Sequence, residues 1–137
     1  MREILFRGKR IDSGEWVYGG YRVEKIGEYP IAVFIIEHLT SGVFENHRVD
    51  PETVGQYTGL NDKNGKKIFE GDIVNITYNT TVENAVIEYK GASFYGSTFA
   101  DCWELDNYYE IEVIGNIHDN PELLKAVAKN EQRIYGR

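Results

Sequence analysis

Three histidines, one cysteine and 22 acidic residues are the groups from which this 137-residue chain could build a reactive or metal-binding site. His38 and His47 fall on neighbouring strand-like segments, with Glu37 and Glu45 close to them in the sequence. Two imidazoles and a carboxylate are ligands for Zn²⁺ or Fe²⁺. None of the spacings HxH, HxxxH or HExxH occurs, so solvated or hydrogen-bonded histidines are expected and no metal set. His118-Asp119 stands before a helix start, where capping is the expected role. Cys102 lies between Asp101 and Trp103 in an acidic stretch, a setting that disfavours a nucleophilic thiolate. Gly55-Gln-Tyr-Thr-Gly59 lacks the Lys-Ser/Thr pair and the long helix of a phosphate loop. Paired carboxylates such as Glu104 and Glu110 suit glycosidase chemistry, but among 22 acidic residues such pairs arise by chance. The sequence therefore names no catalytic residue, no cofactor and no metal.

The elements that position these groups are mostly strands. Apolar residues alternate with polar ones or form short β-branched and aromatic runs. This pattern predicts strands at Arg2–Arg7, Glu15–Lys25, Ile31–Glu37, Val43–Val49, Val54–Thr58, Asp72–Tyr78, Val82–Tyr89 and Glu110–Ile117. Gly19-Gly20 interrupts the second and suggests a bulge. Asp62-Lys-Asn-Gly65 predicts a type I′ turn, with Asn-Gly supplying the positive φ angles. Asp50-Pro51-Glu52 predicts one helical turn. The one helix expected is near the C-terminus, with Asn120 as its N-cap and Pro121 at its first position.

The charge is concentrated. The net charge is −7, and from Gly91 to Leu124 there are seven acidic residues and no Lys or Arg. Elsewhere acids and bases balance at 15 each. The pI near 5.0 argues against direct nucleic-acid binding. The longest strongly apolar run, Ile31–Ile36, is far shorter than the ~20 residues of a membrane helix. The first residues show no signal-peptide core, so a cytoplasmic protein is expected.

Within the acidic stretch, a three-residue loop at Asp106-Asn-Tyr108 would pair Leu105 with Tyr109 and Trp103 with Ile111 on one face. Glu104 would then oppose Glu110 on the other. The candidate interaction surface is accordingly Glu104, Asp106, Tyr108, Glu110 and Glu112, with aromatic anchors nearby. Gly65, Gly71, Asp72, Asn120 and Pro121 are the structural turns and caps.

The run Val49-Asp-Pro-Glu-Thr-Val-Gly-Gln-Tyr-Thr-Gly-Leu60, then Asp62-Lys-Asn-Gly65, then Ile68-Phe-Glu-Gly-Asp-Ile-Val74 resembles the core signature of the YopX family. Arg2-Glu-Ile-Leu-Phe-Arg7 extends the resemblance, and Ile114-Gly-Asn-Ile117 with Asn120-Pro-Glu-Leu-Leu124 closes it. The resemblance implies a small phage or prophage protein of mainly β fold, with an SH3-like barrel in its second half and no catalytic residues to carry over. The strand pattern gives the barrel independent support: Glu70-Gly-Asp72 makes a turn into a strand whose inward face is Val74, Ile76 and Tyr78, beside Ala85, Ile87 and Tyr89. The expected organisation is one YopX-like domain over 1–137. It comprises an N-terminal antiparallel β part (1–60), an SH3-like barrel (66–117) and a C-terminal helix (120–133). The expected function is a non-enzymatic accessory protein that binds another protein or a second copy of itself, away from membranes. An acidic decoy or inhibitor of a host nucleic-acid-binding protein is the alternative. An enzyme with carboxylate chemistry is a third class, for which no motif speaks.

Overall fold

A computed structural model describes residues 3–98, 102–106 and 110–123. The chain is mainly β and divides into two compact units, Met1–Tyr57 and Thr58–Arg137. Two antiparallel sheets of six and five strands run through it.

In the first unit, β1 (Phe6–Lys9), β2 (Trp16–Ile26), β3 (Tyr29–Thr40) and β4 (Val43–Val49) form consecutive antiparallel pairs. A 3-10 turn (Pro51–Thr53) follows, as the sequence predicts, and the Asp50 carboxylate accepts the Glu52 N–H at 3.1 Å. β5 (Gly55–Asn61) then pairs with β1. Alternation sends Val17, Val33, Ile35 and Val49 to one side, where they make the buried core of this unit. The expected bulge at Gly19-Gly20 is absent. A Cβ on Gly19 would lie 1.9 Å from the Ile36 carbonyl oxygen, so glycine is there to admit the backbone of the neighbouring β3. The irregularity of this pair sits instead at Glu24/Lys25.

In the second unit, β6 (Lys67–Phe69) follows β5 across the Asp62–Gly65 turn. β7 (Asp72–Tyr78), β8 (Thr81–Lys90), β9 (Ser93–Ser97) and β10 (Cys102–Glu104) form a meander, and β11 (Glu110–Asn116) returns to pair with β7. Ile68, Val74, Ile76, Ala85, Ile87 and Ile111 form its buried core, with Trp103, Leu105 and Val113 packed against it. Each buried isoleucine contributes about 1.5–3 kcal/mol by leaving water. The second sheet has the order β10-β9-β8-β7-β11, and no closed barrel is present among the described residues.

Three local expectations change. The Asp62–Gly65 turn is not type I′: only Gly65 has positive φ, at 83°. Gly65 N–H donates to the Asp62 carbonyl at 3.0 Å and Asp62 N–H to the Lys66 carbonyl at 2.7 Å. That is a type I turn closed by a left-handed glycine, the common three-residue hairpin loop. The hairpin expected across Asp106-Asn-Tyr108 also differs. β10 pairs with β9 and β11 with β7, so Trp103 opposes Gly96, Ile111 opposes Ile76, and Glu104 opposes Tyr95 rather than Glu110. Trp103, Leu105 and Ile111 all meet the same core, as expected, while Tyr109 lies outside the described residues. The partner strand β9 is what the pattern hid. Finally, Tyr78 and Tyr89 end at hairpin turns, beyond the core, and are each 51% exposed.

Gly71 and Asp72 lead the chain into β7. Gly71 has φ +86°, a shape that side chains with a Cβ resist. Its N–H donates to the Ile87 carbonyl and its carbonyl accepts from Ile117 N–H, both at 2.9 Å. The buried Asp72 carboxylate accepts the Phe69 N–H at 2.8 Å. Residues 121–123 are helical after Asn120; the remainder of the expected helix, 124–133, lies outside the described residues. The Asn120 carbonyl accepts from Leu123 N–H at 3.0 Å. Its side chain reaches back to the Asn116 N–H at 3.1 Å. Asn116 in turn uses its side-chain oxygen to hold the His118 and Asp119 amides.

Candidate functional site

The second unit builds its acidic surface around one buried carboxylate. Asp62, 7% exposed, turns the chain from β5 into β6. Its Oδ1 accepts from Asn64 N and Lys66 N, both at 2.9 Å, and its Oδ2 accepts from Val113 N at 3.0 Å. Burial acts to raise the Asp62 pKa, but the three backbone donors, with Lys66 nearby, outweigh it and hold the carboxyl below its ordinary value. Lys63 N–H donates to the Ile111 carbonyl at 2.9 Å, so turn and strand are bonded from both sides.

This arrangement creates a concavity lined by Leu60, Asn61, Asp62, Lys63, Asp106, Glu110 and Ile111. Its floor is partly apolar and its rim is acidic. Lys63 Nζ, the one basic group in the lining, lies 3.7 Å from Glu112 Oε2. Of the five surface residues named from the sequence, Asp106 and Glu110 meet in this hollow, and Glu112 adjoins it through Lys63. Glu104 stands apart on β10, where it accepts the Ser93 hydroxyl at 3.0 Å. Tyr108 lies outside the described residues. Sequence reasoning missed Asp62, Lys63 and Leu60, because long-range bonds, Val113 N–H to Asp62 and Lys63 N–H to Ile111, bring that turn to β11. Cys102 is a free, exposed thiol.

The histidines resolve into three environments. His38 is exposed and stacks on Phe44 at 4.7 Å between centroids. His118 is held in the Asn116 turn. His47 is buried, with Nε2 3.0 Å from Glu37 Oε1 and 3.9 Å from Glu45 Oε2. Among the described residues, Glu37, Glu45 and His47 form a group whose donor atoms come within metal-binding reach of one another. The signal for it was Glu45-Asn-His47, a spacing that shares a face on a strand.

No helix among the described residues is long and apolar enough to cross a membrane. The family profile described as YopX protein matches residues 5–125, and the chain belongs to the YopX family. The crystal structure of protein EF1440 from Enterococcus faecalis is similar, at 28% sequence identity and a TM-score of 0.53 over 90% of this chain and 99% of that one. No curated protein matches the chain.

Proposed function

We propose that this YopX-family chain is a non-enzymatic phage or prophage accessory protein that acts in the host cytoplasm by binding another protein through the acidic hollow of its second unit. In this reading 1–137 works as one YopX-like domain. Residues 66–117 form its SH3-like part: a meander whose last strand returns to the first, with both sheet edges packing on one core cluster. The observation that carries the proposal is the hollow itself. It joins an apolar floor, Leu60 and Ile111, to a carboxylate rim at Asp106 and Glu110 whose lining lysine is already engaged by Glu112. Excess negative charge on such a rim attracts a basic partner and sets the rate of encounter. A second copy of the chain is a further candidate partner, since antiparallel sheets with exposed edges readily add a strand.

The charge concentration also favours the decoy reading, in which the hollow occupies the nucleic-acid site of a host protein. Both are tested by affinity purification from phage-infected cells with wild-type and Glu110→Lys bait. A partner held by the wild type, released with rising salt and lost with the variant supports the acidic hollow. Competition of that partner by DNA selects the decoy, and light scattering detects self-association. Equal recovery with both baits overturns the assignment.

A further inference from the structure

The β3–β4 hairpin carries a side-chain cluster that the proposed partner surface does not use. Glu37 and Glu45 are direct cross-strand neighbours, and His47 lies two residues beyond Glu45 on the same face. One donor atom from each of the three falls within 4.8 Å of the others. The His47 side chain is 5% exposed, while Glu37 and Glu45 are 43% and 52% exposed. A buried imidazole thus forms the floor of the cluster and two half-exposed carboxylates form its mouth.

Hydrogen bonding alone does not account for this set. An imidazole N–H satisfies one carboxylate, and Glu37 at 3.0 Å takes that place. Glu45, at 3.9 Å, is then an anion placed directly opposite another anion, which is destabilising in a ladder. Arg10 is one positive group that acts on Glu45, and its guanidinium is held by both oxygens of Asp12 at 3.0 and 2.7 Å.

We propose that Glu37, Glu45 and His47 bind one divalent first-row cation of the Zn²⁺ class. Imidazole nitrogen and carboxylate oxygen are ordinary ligands for such ions, at about 2.0–2.2 Å. Ligands at that radius around a tetrahedral centre stand about 3.4 Å apart. Separations from 3.0 Å to no more than 4.8 Å therefore adjust to that spacing by rotation of the two exposed glutamates, with the buried imidazole fixed. Three protein ligands leave at least one position open, at the solvent-facing mouth. His38 is excluded, because its ring stacks on Phe44 on the opposite face of the hairpin.

The test uses the full-length protein stripped with EDTA and titrated with ZnCl₂ and CoCl₂ by calorimetry, absorption and thermal melting. One equivalent should bind per chain, with a raised melting temperature and a cobalt spectrum free of thiolate charge transfer. MgCl₂ at the same concentration should give no shift. Glu45→Gln and Glu37→Gln, at half-exposed positions that leave the core intact, should each weaken binding at least tenfold. His38→Gln and Cys102→Ser should leave it unchanged. Absence of binding overturns the proposal. So does binding that survives both glutamine variants or disappears with His38→Gln or Cys102→Ser.

Discussion

The two units reach the same architecture by different means. The first is specified by alternation: an eleven-residue strand, β2, pairs through Gly20–Ile26 with a twelve-residue strand, β3, and the core cluster among the described residues has four buried members. Much apolar surface remains outside, including Ile26, Tyr29, Ile31 and Phe44, each at least 46% exposed. The second has a larger core cluster, six buried residues among those described, and is fastened at its turns by polar side chains that bond to backbone. Asp62 holds three amides, Asp72 holds Phe69 N–H, and Asn116 and Asn120 hold the approach to the helix. Pattern tolerates substitution because many residues share the work, whereas a fastening fails when one side chain is removed. Sensitivity to single substitutions should therefore concentrate in the second unit.

Asp62→Ala is expected to have the largest effect, a loss of about 3–4 kcal/mol, since it strands buried backbone donors that a charged acceptor had satisfied. Tyr29→Ser, at 78% exposure in the first unit, should change stability by less than about 0.5 kcal/mol in a denaturant titration. Comparable losses from the two would erase the contrast. Asp62 also gives the contrast a pH signature. Its folded pKa lies below the ordinary 3.8, so its ionised form favours the native state. That stability is complete above the unfolded value and disappears as pH falls through the lower folded one. Melting curves of Asp62→Asn should accordingly be flatter than wild type between about pH 5 and pH 2.

Gly71→Val comes next, at about 1–3 kcal/mol, because φ +86° strains a β-branched residue at a turn bonded to both Ile87 and Ile117. Unchanged thermal stability would remove Gly71 from the set of fastenings. Asn120→Ala should lose about 1 kcal/mol, and Pro121→Ala almost nothing. The Asn120 loss arises at the Asn116 N–H, so amide exchange should quicken at Asn116 ahead of the helix. Equal effects from the two would remove the Asn120–Asn116 bond from the set of fastenings.

How legible each unit was in the sequence follows the same division. β4 and β7 carry the expected boundaries, Val43–Val49 and Asp72–Tyr78, because alternation or an apolar run marks both ends. β6 and β9 were invisible: Lys67–Phe69 is three residues long, and Ser93–Ser97 offers its core-facing place to Gly96, where a Cβ would fall 2.4 Å from Ile76 Cδ1. Without β9, apolar matching steered β10 to β11. The Asp62–Gly65 turn was legible as a turn, but its third bond, to Val113, joins residues 51 apart. Local chemistry carries no trace of such a partner. The Glu37, Glu45 and His47 cluster was hidden for another reason. The ligand spacings sought were HxH and helical ones, while the strand placed a glutamate and a histidine at i and i+2.

The smallest expected effect separates two like-charge pairs, one in each unit. The sequence placed a cross-strand repulsion at Glu104 and Glu110; the register places it at Glu37 and Glu45. Glu104 opposes Tyr95 and accepts from Ser93, while Glu110 opposes Thr77 across the sheet order from it. Glu104→Lys removes one exposed hydrogen bond and relieves no facing carboxylate, so it should leave stability within about 0.5 kcal/mol of wild type. Glu45→Gln removes the anion opposite Glu37 and keeps the Glu37–His47 bond. In metal-free protein it should stabilise the chain by about 0.2–1 kcal/mol, the size of a cross-strand charge pair. Added salt should shrink that gain by screening the two exposed carboxylates. Stabilisation by Glu104→Lys with none from Glu45→Gln would return the repulsion to the second unit and restore the pairing of β10 with β11. The reverse result locates the repulsion at the hairpin where a cation would relieve it, because Glu45→Gln and a bound divalent ion neutralise the same facing charge.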